Sequence, residues 1–140
     1  MSARHEPITG VPALAATPVV SAEWPEVVIE AAAEDGTRVR LRFSPAQAVR
    51  IRTADVYVPP GDDAGYRPGA VVEVTDSLWL EELRADAAQL NQTATFMDVA
   101  RHFFVDAGDT AVEVVAWGLE WSVGEASGRH PDPPPEPGWP

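Results

Sequence analysis

The sequence contains no cysteine and no lysine, and only three of its 140 residues are histidine. Without cysteine neither a disulfide framework nor a zinc–thiolate centre can form, and a reducing cytosol is the compartment that fits best. The longest weakly apolar stretch, residues 11–20, is interrupted by Pro12 and Pro18. It is far shorter than the roughly 20 apolar residues of a membrane-spanning helix, and the prolines also argue against a secretion signal. The sequence therefore predicts a cytoplasmic protein that does not enter a membrane.

The negative charge is distributed unevenly along the chain. The formal net charge is −12, with 22 Asp and Glu against 10 basic residues, all of them arginine. Residues 1–54 contain six arginines and six carboxylates, whereas residues 55–140 contain four arginines and sixteen carboxylates. An acidic surface of this size repels nucleic acid and attracts a basic partner. The alternative is a surface charged only for solubility.

Proline and composition set the expected limits of the folded region. Residues 1–23 mix Pro, Ala, Thr and Ser without a period of two or of 3.6, which predicts a flexible N-terminal arm. Residues 123–140 end in a run dense in proline, which blocks helices and strand ladders and predicts a disordered tail. A single folded domain is expected over residues 24–122.

Alternation of apolar and polar residues predicts most of the strands. The Asp35-Gly36 pair signals a tight hairpin between the first two of them. A second hairpin is expected around the turn at residues 106–110. The predicted strands cover residues 26–32, 38–43, 48–53, 70–74, 101–105 and 111–117, with a shorter one at 119–123.

One helix is expected from Leu78 to about Leu90, where apolar residues recur at helical spacing. Thr75-Asp76-Ser77 supplies candidates for its N-cap. With strands before and after a single helix, the order predicts an α+β fold. We expect a twisted antiparallel sheet of about six strands with the helix packed on one face.

Five arginines on two consecutive predicted strands form the most distinctive cluster. If the two strands are adjacent, alternate residues share one face, and the cluster can bind an anionic group or a partner. The alternative is that carboxylates on neighbouring strands, such as Glu26, Glu30 and Glu73, pair with these arginines. The arginines are Arg38, Arg40, Arg42, Arg50 and Arg52.

Two tryptophans and one histidine are the remaining candidates. Trp117 and Trp121 are four residues apart in a strand-like stretch, so we expect them on one face, as interface anchors or as core residues. His102 is the one histidine in a predicted strand. A hydrolase built on it would need a nucleophile and an orienting acid, and no motif supplies them. The sequence therefore predicts no catalytic residue, no metal site and no cofactor.

The segment Thr75–Leu83, the run Arg101-His102-Phe103 and residues 112–116 form a helix start, a hairpin strand and a core strand. This pattern, over about residues 39–120, resembles a broad set of small bacterial proteins, some of which look like immunity proteins encoded beside polymorphic toxins. The resemblance implies a non-catalytic, antitoxin-like interaction protein whose acidic half docks on a basic partner such as a nuclease toxin. The alternative function is a small anionic-ligand-binding module that uses the arginine-rich hairpin.

Overall fold

The computed structural model describes residues 4–53, 68–90 and 96–130. Over these residues the chain forms ten strands, one α-helix and one 3₁₀ helix. The strands are β1 (Arg4–Pro7), β2 (Val19–Glu23), β3 (Glu26–Ala32), β4 (Arg38–Phe43), β5 (Ala46–Thr53), β6 (Val71–Thr75), β7 (Arg101–Ala107), β8 (Thr110–Ala116), β9 (Leu119–Val123) and β10 (Ala126–Arg129). The helices are α1 (Leu78–Leu90) and the 3₁₀ helix Phe96–Val99.

The strands form two antiparallel five-stranded sheets. Sheet I has the order β1-β6-β7-β8-β5, and sheet II has the order β10-β9-β4-β3-β2. The inner faces of both sheets contribute to one hydrophobic core. There Phe43 of sheet II meets Phe103 of sheet I, with 5.3 Å between the ring centroids. The α+β class is confirmed, but the prediction of one sheet of about six strands is wrong.

Three connections carry the chain from one sheet to the other, and two of them, which follow β4 and β8, explain this error. Ser44-Pro45 joins β4 of sheet II to β5 of sheet I, and Trp117-Gly118 joins β8 of sheet I to β9 of sheet II. The two connections lie side by side, because the N–H of Ser44 donates to Gly118 at 3.2 Å and that of Trp117 donates to Pro45 at 3.1 Å. They form a corner rather than a hairpin. In the sequence, a proline between two predicted strands is compatible with a hairpin within one sheet and with a corner between two sheets.

Helix α1 packs on the outer face of sheet I, with the predicted bounds confirmed at both ends. The Oγ of Ser77 accepts the N–H of Leu80 at 3.1 Å and so caps the helix. Leu80 and Leu83 pack in a cluster with Val115 of β8. Leu90, predicted on the same face, is 89% exposed. Neither helix in the described part of the chain is long and apolar enough to cross a bilayer.

The two hairpins predicted from their turns are present. β3 pairs with β4 across the turn that contains Gly36, and β7 pairs with β8 across the turn that contains Gly108. Both glycines have positive φ, +84° and +58°, a region that glycine enters without steric cost. Local turn chemistry was therefore sufficient to predict these pairings.

Both predicted terminal extensions contribute strands to the sheets. β1 pairs with β6 and β2 pairs with β3, so the prediction of a flexible arm over residues 1–23 is wrong for 4–7 and 19–23. β10 pairs with β9, so the prediction of a tail over 123–140 is wrong for 126–129. Strands of four or five residues are too short to show a period, and tertiary pairing holds them in place. Residues 131–140 lie outside the described residues.

Gly69 and Gly36 provide a matched test of the packing of the N-terminal segment. Their φ angles are +83° and +84°, so alanine costs a similar backbone penalty of about 1–2 kcal/mol at each. A Cβ at Gly36 would meet no atom within 4 Å, whereas a Cβ at Gly69 would overlap the carbonyl oxygen of Leu14. In urea titrations we expect G69A to lose about 2 kcal/mol more free energy of unfolding than G36A. Equal losses would contradict the docked position of Leu14.

Candidate functional site

The structure places the five predicted arginines on opposite outer faces of the molecule. Those at 38, 40 and 42 alternate with the buried residues of β4 and project from sheet II. Arg50 and Arg52 project from sheet I, on the face that carries α1. The prediction of one shared basic face is wrong, because β4 pairs with β3 and β9 whereas β5 pairs with β8. A binding role for these arginines stays a prediction.

On sheet II the arginines form a ladder of ion pairs with carboxylates of the neighbouring strands. The pairs are Arg38–Glu30 at 2.9 Å, Arg40–Glu30 at 3.3 Å, Arg42–Glu26 at 2.8 Å and Arg42–Glu120 at 3.1 Å. Hydrogen bonds from Arg42 and Arg38 lower the pKa of Glu26 and of Glu30 respectively. The alternative of cross-strand pairing is confirmed for Glu26 and Glu30. Glu73 instead lies 2.9 Å from His130, which follows β10, and 3.8 Å from Arg101 of the neighbouring strand β7.

A groove of about 420 Å³ lies beside this ladder, on the side of β9 and β10. It brings Arg40 and Arg42 together with Arg129, which the sequence analysis did not select. The hydroxyl-bearing residues Ser122 and Ser127 complete its polar lining. We call these five residues the arginine groove.

Trp117 and Trp121 do not share a face, contrary to the prediction. Trp117 packs in the cluster beneath α1, whereas Trp121 packs against the core between the sheets and lies over Gly128. The two-residue corner between β8 and β9 separates their environments. Their role as interface anchors stays a prediction. Trp24, in the β2–β3 turn, is instead 56% exposed.

His102 lies between a hydroxyl and a carboxylate that sequence reasoning did not assign to it. The Oγ of Ser77 is 2.7 Å from His102 Nδ1, and Oε1 of Glu113 is 3.0 Å from Nε2. All three residues are buried: Ser77 is 5% exposed, His102 4% and Glu113 1%. The edge of the Trp79 ring meets the His102 ring at 5.1 Å between centroids and closes the group from the helix side. We call Ser77, His102 and Glu113 the relay.

Two arginines hold the acidic end of the relay. Oε2 of Glu113 accepts hydrogen bonds from Nε of Arg50 and, at 2.9 Å, from Nη2 of Arg52. Burial raises the pKa of Glu113, but hydrogen bonds from His102 and Arg50, together with the positive charge of Arg50, outweigh it and lower the pKa to about 2. Arg50 in turn lies over the Trp79 ring, 4.1 Å from its centroid. Glu113 is therefore ionised at neutral pH.

An ionised Glu113 determines the direction of the hydrogen bonds. Nε2 of His102 faces a carboxylate and must carry a proton, so in the neutral imidazole Nδ1 is unprotonated. Ser77 Oγ then donates its proton to Nδ1 while it accepts the N–H of Leu80. In this neutral form, proton donation runs from Ser77 to His102 to Glu113, the direction in which a general base withdraws a proton from a hydroxyl.

A cleft of about 330 Å³ opens beside the relay and is lined by both Ser77 and His102. Arg84 of α1 also lines this cleft. Its Nε donates a hydrogen bond to the carbonyl of Met97 at 3.0 Å, which connects α1 to the 3₁₀ helix. Over residues 4–53, 68–90 and 96–130, no group of three or more His, Asp or Glu side chains is arranged to hold a metal ion.

One signal in the sequence pointed toward the relay. Glu113 stands among three valines and two alanines in the segment 111–116, all of which is buried. A carboxylate in a buried strand requires hydrogen-bonding partners of opposite charge. Identifying those partners as Arg50 and His102 requires the register of β8 against β5 and β7, which no local pattern contains.

Replacing Glu113 with Gln tests the acidic end of the relay. The substitution leaves Arg50 and Arg52 without their carboxylate, and we expect E113Q to lose about 3 kcal/mol of unfolding free energy at neutral pH. The pKa of Glu113 is about 2 in the folded protein against an ordinary 4.5, so its stabilisation is complete above pH 4.5 and disappears as the pH falls toward 2.

The difference between wild type and E113Q should therefore shrink over that interval. Urea titrations at about pH 7 and about pH 3 measure it. E125Q, at an exposed carboxylate, is the control and should change little at either pH. A difference for E113Q that stays constant with pH would contradict the assignment.

No protein-family model, curated protein or solved structure matches this chain. The resemblance to immunity proteins therefore stays a prediction. Function must be inferred from the arrangement of the described side chains.

Proposed function

We propose that this chain is an interaction protein, of immunity or antitoxin-like type, that docks on a basic protein partner through the surface around α1. The observation that carries the proposal is a set of exposed carboxylates on the helix and its flanks. Within the described residues, none of them forms an ion pair. The set, which we call the acidic surface, is Asp76, Glu81, Glu82, Asp86 and Asp98.

Comparison with sheet II explains why this surface is favoured over the other charged face. On sheet II, Glu26, Glu30 and Glu120 already pair with arginines at 3.3 Å or less. A partner that binds there must break existing ion pairs. The carboxylates of the acidic surface have no such pairs to lose among the described residues. Their negative electrostatic potential therefore attracts a basic partner and accelerates its association.

The local structure makes the acidic surface rigid and supplies an apolar contact. The guanidinium of Arg84 is engaged by the carbonyls of Met97, Asp98 and Ala100, at 3.0, 3.4 and 3.2 Å. It therefore holds the 3₁₀ helix beside α1. Leu78, at the start of α1, is 70% exposed and offers a hydrophobic contact at the edge of the charged region.

Neutralising the acidic surface is expected to weaken the complex. The partner is captured by cross-linking from an extract of the native host, identified, and purified. Its affinity for the triple variant E81Q/E82Q/D86N should fall at least about tenfold, with most of the loss in the association rate, and wild-type affinity should fall between about 50 mM and 500 mM salt.

The triple variant E23Q/E34Q/E125Q is the matched control, because it removes the same charge from exposed positions outside the acidic surface. It should bind nearly as well as the wild type. Equal weakening by both triple variants would show that net charge rather than this surface matters. Binding unaffected by either variant or by salt would overturn the proposal.

A second candidate function, binding of a small anion, is supported by the arginine groove. Three arginines and two serines line it, and Glu120 is the one carboxylate among the described residues of its lining. Among the described residues, Arg40 forms one ion pair, through Nε at 3.3 Å, and its terminal nitrogens can bind an oxyanion. A phosphate- or carboxylate-bearing ligand fits this lining.

Pyrophosphate titration, followed by calorimetry, tests the second candidate. Arg40→Ala should abolish binding, whereas Arg38→Ala, on the same strand face but outside the groove, should leave it within about twofold. Because Arg40 is about half exposed, its loss should not unfold the domain. Binding that survives in R40A, or its absence in the wild type, would eliminate the groove as a pyrophosphate site.

A further inference from the structure

Ser77 lies where strand β6 turns into helix α1, a position with unusual backbone geometry. The residue before it, Asp76, has a φ of 53° and is the one residue other than glycine with positive φ in the described part of the chain. Such a conformation is costly for a residue with a Cβ and persists only when the surrounding structure enforces it. Ser77 follows it directly, and its Oγ lies 2.7 Å from His102 Nδ1.

The surroundings of Ser77 Oγ combine two elements that acyl transfer requires. The first is a base, since Nδ1 of the neutral His102 is an acceptor 2.7 Å away whose ring is oriented by Glu113. The second is space, since the cleft of about 330 Å³ is lined by both Ser77 and His102.

We infer that Ser77 is the nucleophile of an acyl-transfer site, with His102 as its general base and Glu113 as the residue that positions His102. Ser77 Oγ forms a bond to the carbonyl carbon of an ester, its proton passes to His102 Nδ1, and the carbonyl π electrons move to oxygen. Collapse of this intermediate breaks the bond to the alcohol, which leaves with the proton from Nδ1. Water then attacks the acyl-serine by the same route, which releases the carboxylic acid and restores Ser77.

The cleft selects the class of ester. Among the described residues, its lining contains four carboxylates, including Asp76 directly before Ser77 and Glu81 one helical turn after it, against two arginines. An anionic substrate is therefore disfavoured. Ser77 is only 5% exposed, so only a small acyl group reaches Oγ. The favoured substrate is a short, uncharged carboxylic ester.

The pairing of Glu113 with Arg50 and Arg52 limits the rate. The carboxylate of Glu113 would stabilise an imidazolium at His102. Because Arg50 and Arg52 also bind this carboxylate, they partly neutralise its charge and weaken that stabilisation. Turnover is therefore expected to be slow, and covalent labelling is a more sensitive measurement than hydrolysis. Asp76, Glu81 and Asp98 of the acidic surface also line the cleft, so a docked partner would cover it. The chemistry at Ser77 and His102 does not require that partner, and the test below uses the protein alone.

The test treats the full chain with a small alkyl fluorophosphonate and follows the reaction by intact-protein and peptide mass spectrometry. One adduct on Ser77 is expected, together with hydrolysis of p-nitrophenyl acetate above the solvent rate. H102Q should slow the labelling at least about a hundredfold, because it lacks the base.

Ser77 also caps α1, so S77A alone would not separate chemistry from folding. S77N keeps an oxygen that can accept the N–H of Leu80 but has no nucleophilic hydroxyl. It should fold, as judged by circular dichroism, and remain unlabelled. S21A, at an exposed serine of sheet II, should label like the wild type. A wild-type protein that is not labelled at Ser77, or that hydrolyses p-nitrophenyl acetate no faster than S77N, overturns the inference and leaves the relay as a tie between α1 and sheet I.

Discussion

The burial of one ionised carboxylate, that of Glu113, is the constraint on which sheet I depends. An ionised group at 1% exposure is costly unless charged partners surround it. Those partners come from both neighbours of β8: His102 from β7, and Arg50 and Arg52 from β5. The strand order β7-β8-β5 is therefore specified by charge as well as by hydrophobic contact, since other neighbours would leave the carboxylate unpaired.

The same centre positions the helix. Trp79, in the first turn of α1, places its ring over Arg50 and its edge against His102. Ser77 joins the helix cap to His102 through a single oxygen, which accepts from Leu80 and lies 2.7 Å from Nδ1. The orientation of α1 on sheet I and the geometry of the relay are thus parts of one arrangement, and changes in one are transmitted to the other.

Features that arise from neighbouring residues could be predicted from the sequence. The bounds of α1 follow from helical spacing and a capping serine, and the β3–β4 and β7–β8 hairpins follow from their glycine-containing turns. The outward direction of the arginines on β4 and β5 also follows from simple alternation. The division into two sheets could not be predicted, because Ser44-Pro45 is compatible with either a hairpin or a corner.

The candidate sites depend on contacts distant in sequence and were therefore mostly missed. Ser77 and His102 are 25 residues apart, and His102 and Glu113 are 11 apart. Only the register of β7 against β8 and the docking of α1 bring them together. His5 shows the same limit: it falls in a predicted flexible arm, yet pairing of β1 with β6 buries it to 2% exposure against Phe104.

The corner has a consequence for how the molecule opens. The segments β4–β5 and β8–β9 each run from one sheet into the other, and the hydrogen bonds between Ser44 and Gly118 and between Trp117 and Pro45 join them. The two layers are therefore linked by hydrogen-bonded backbone at the corner as well as by the apolar core between them. Movement of one layer away from the other must bend two adjacent chain segments at once.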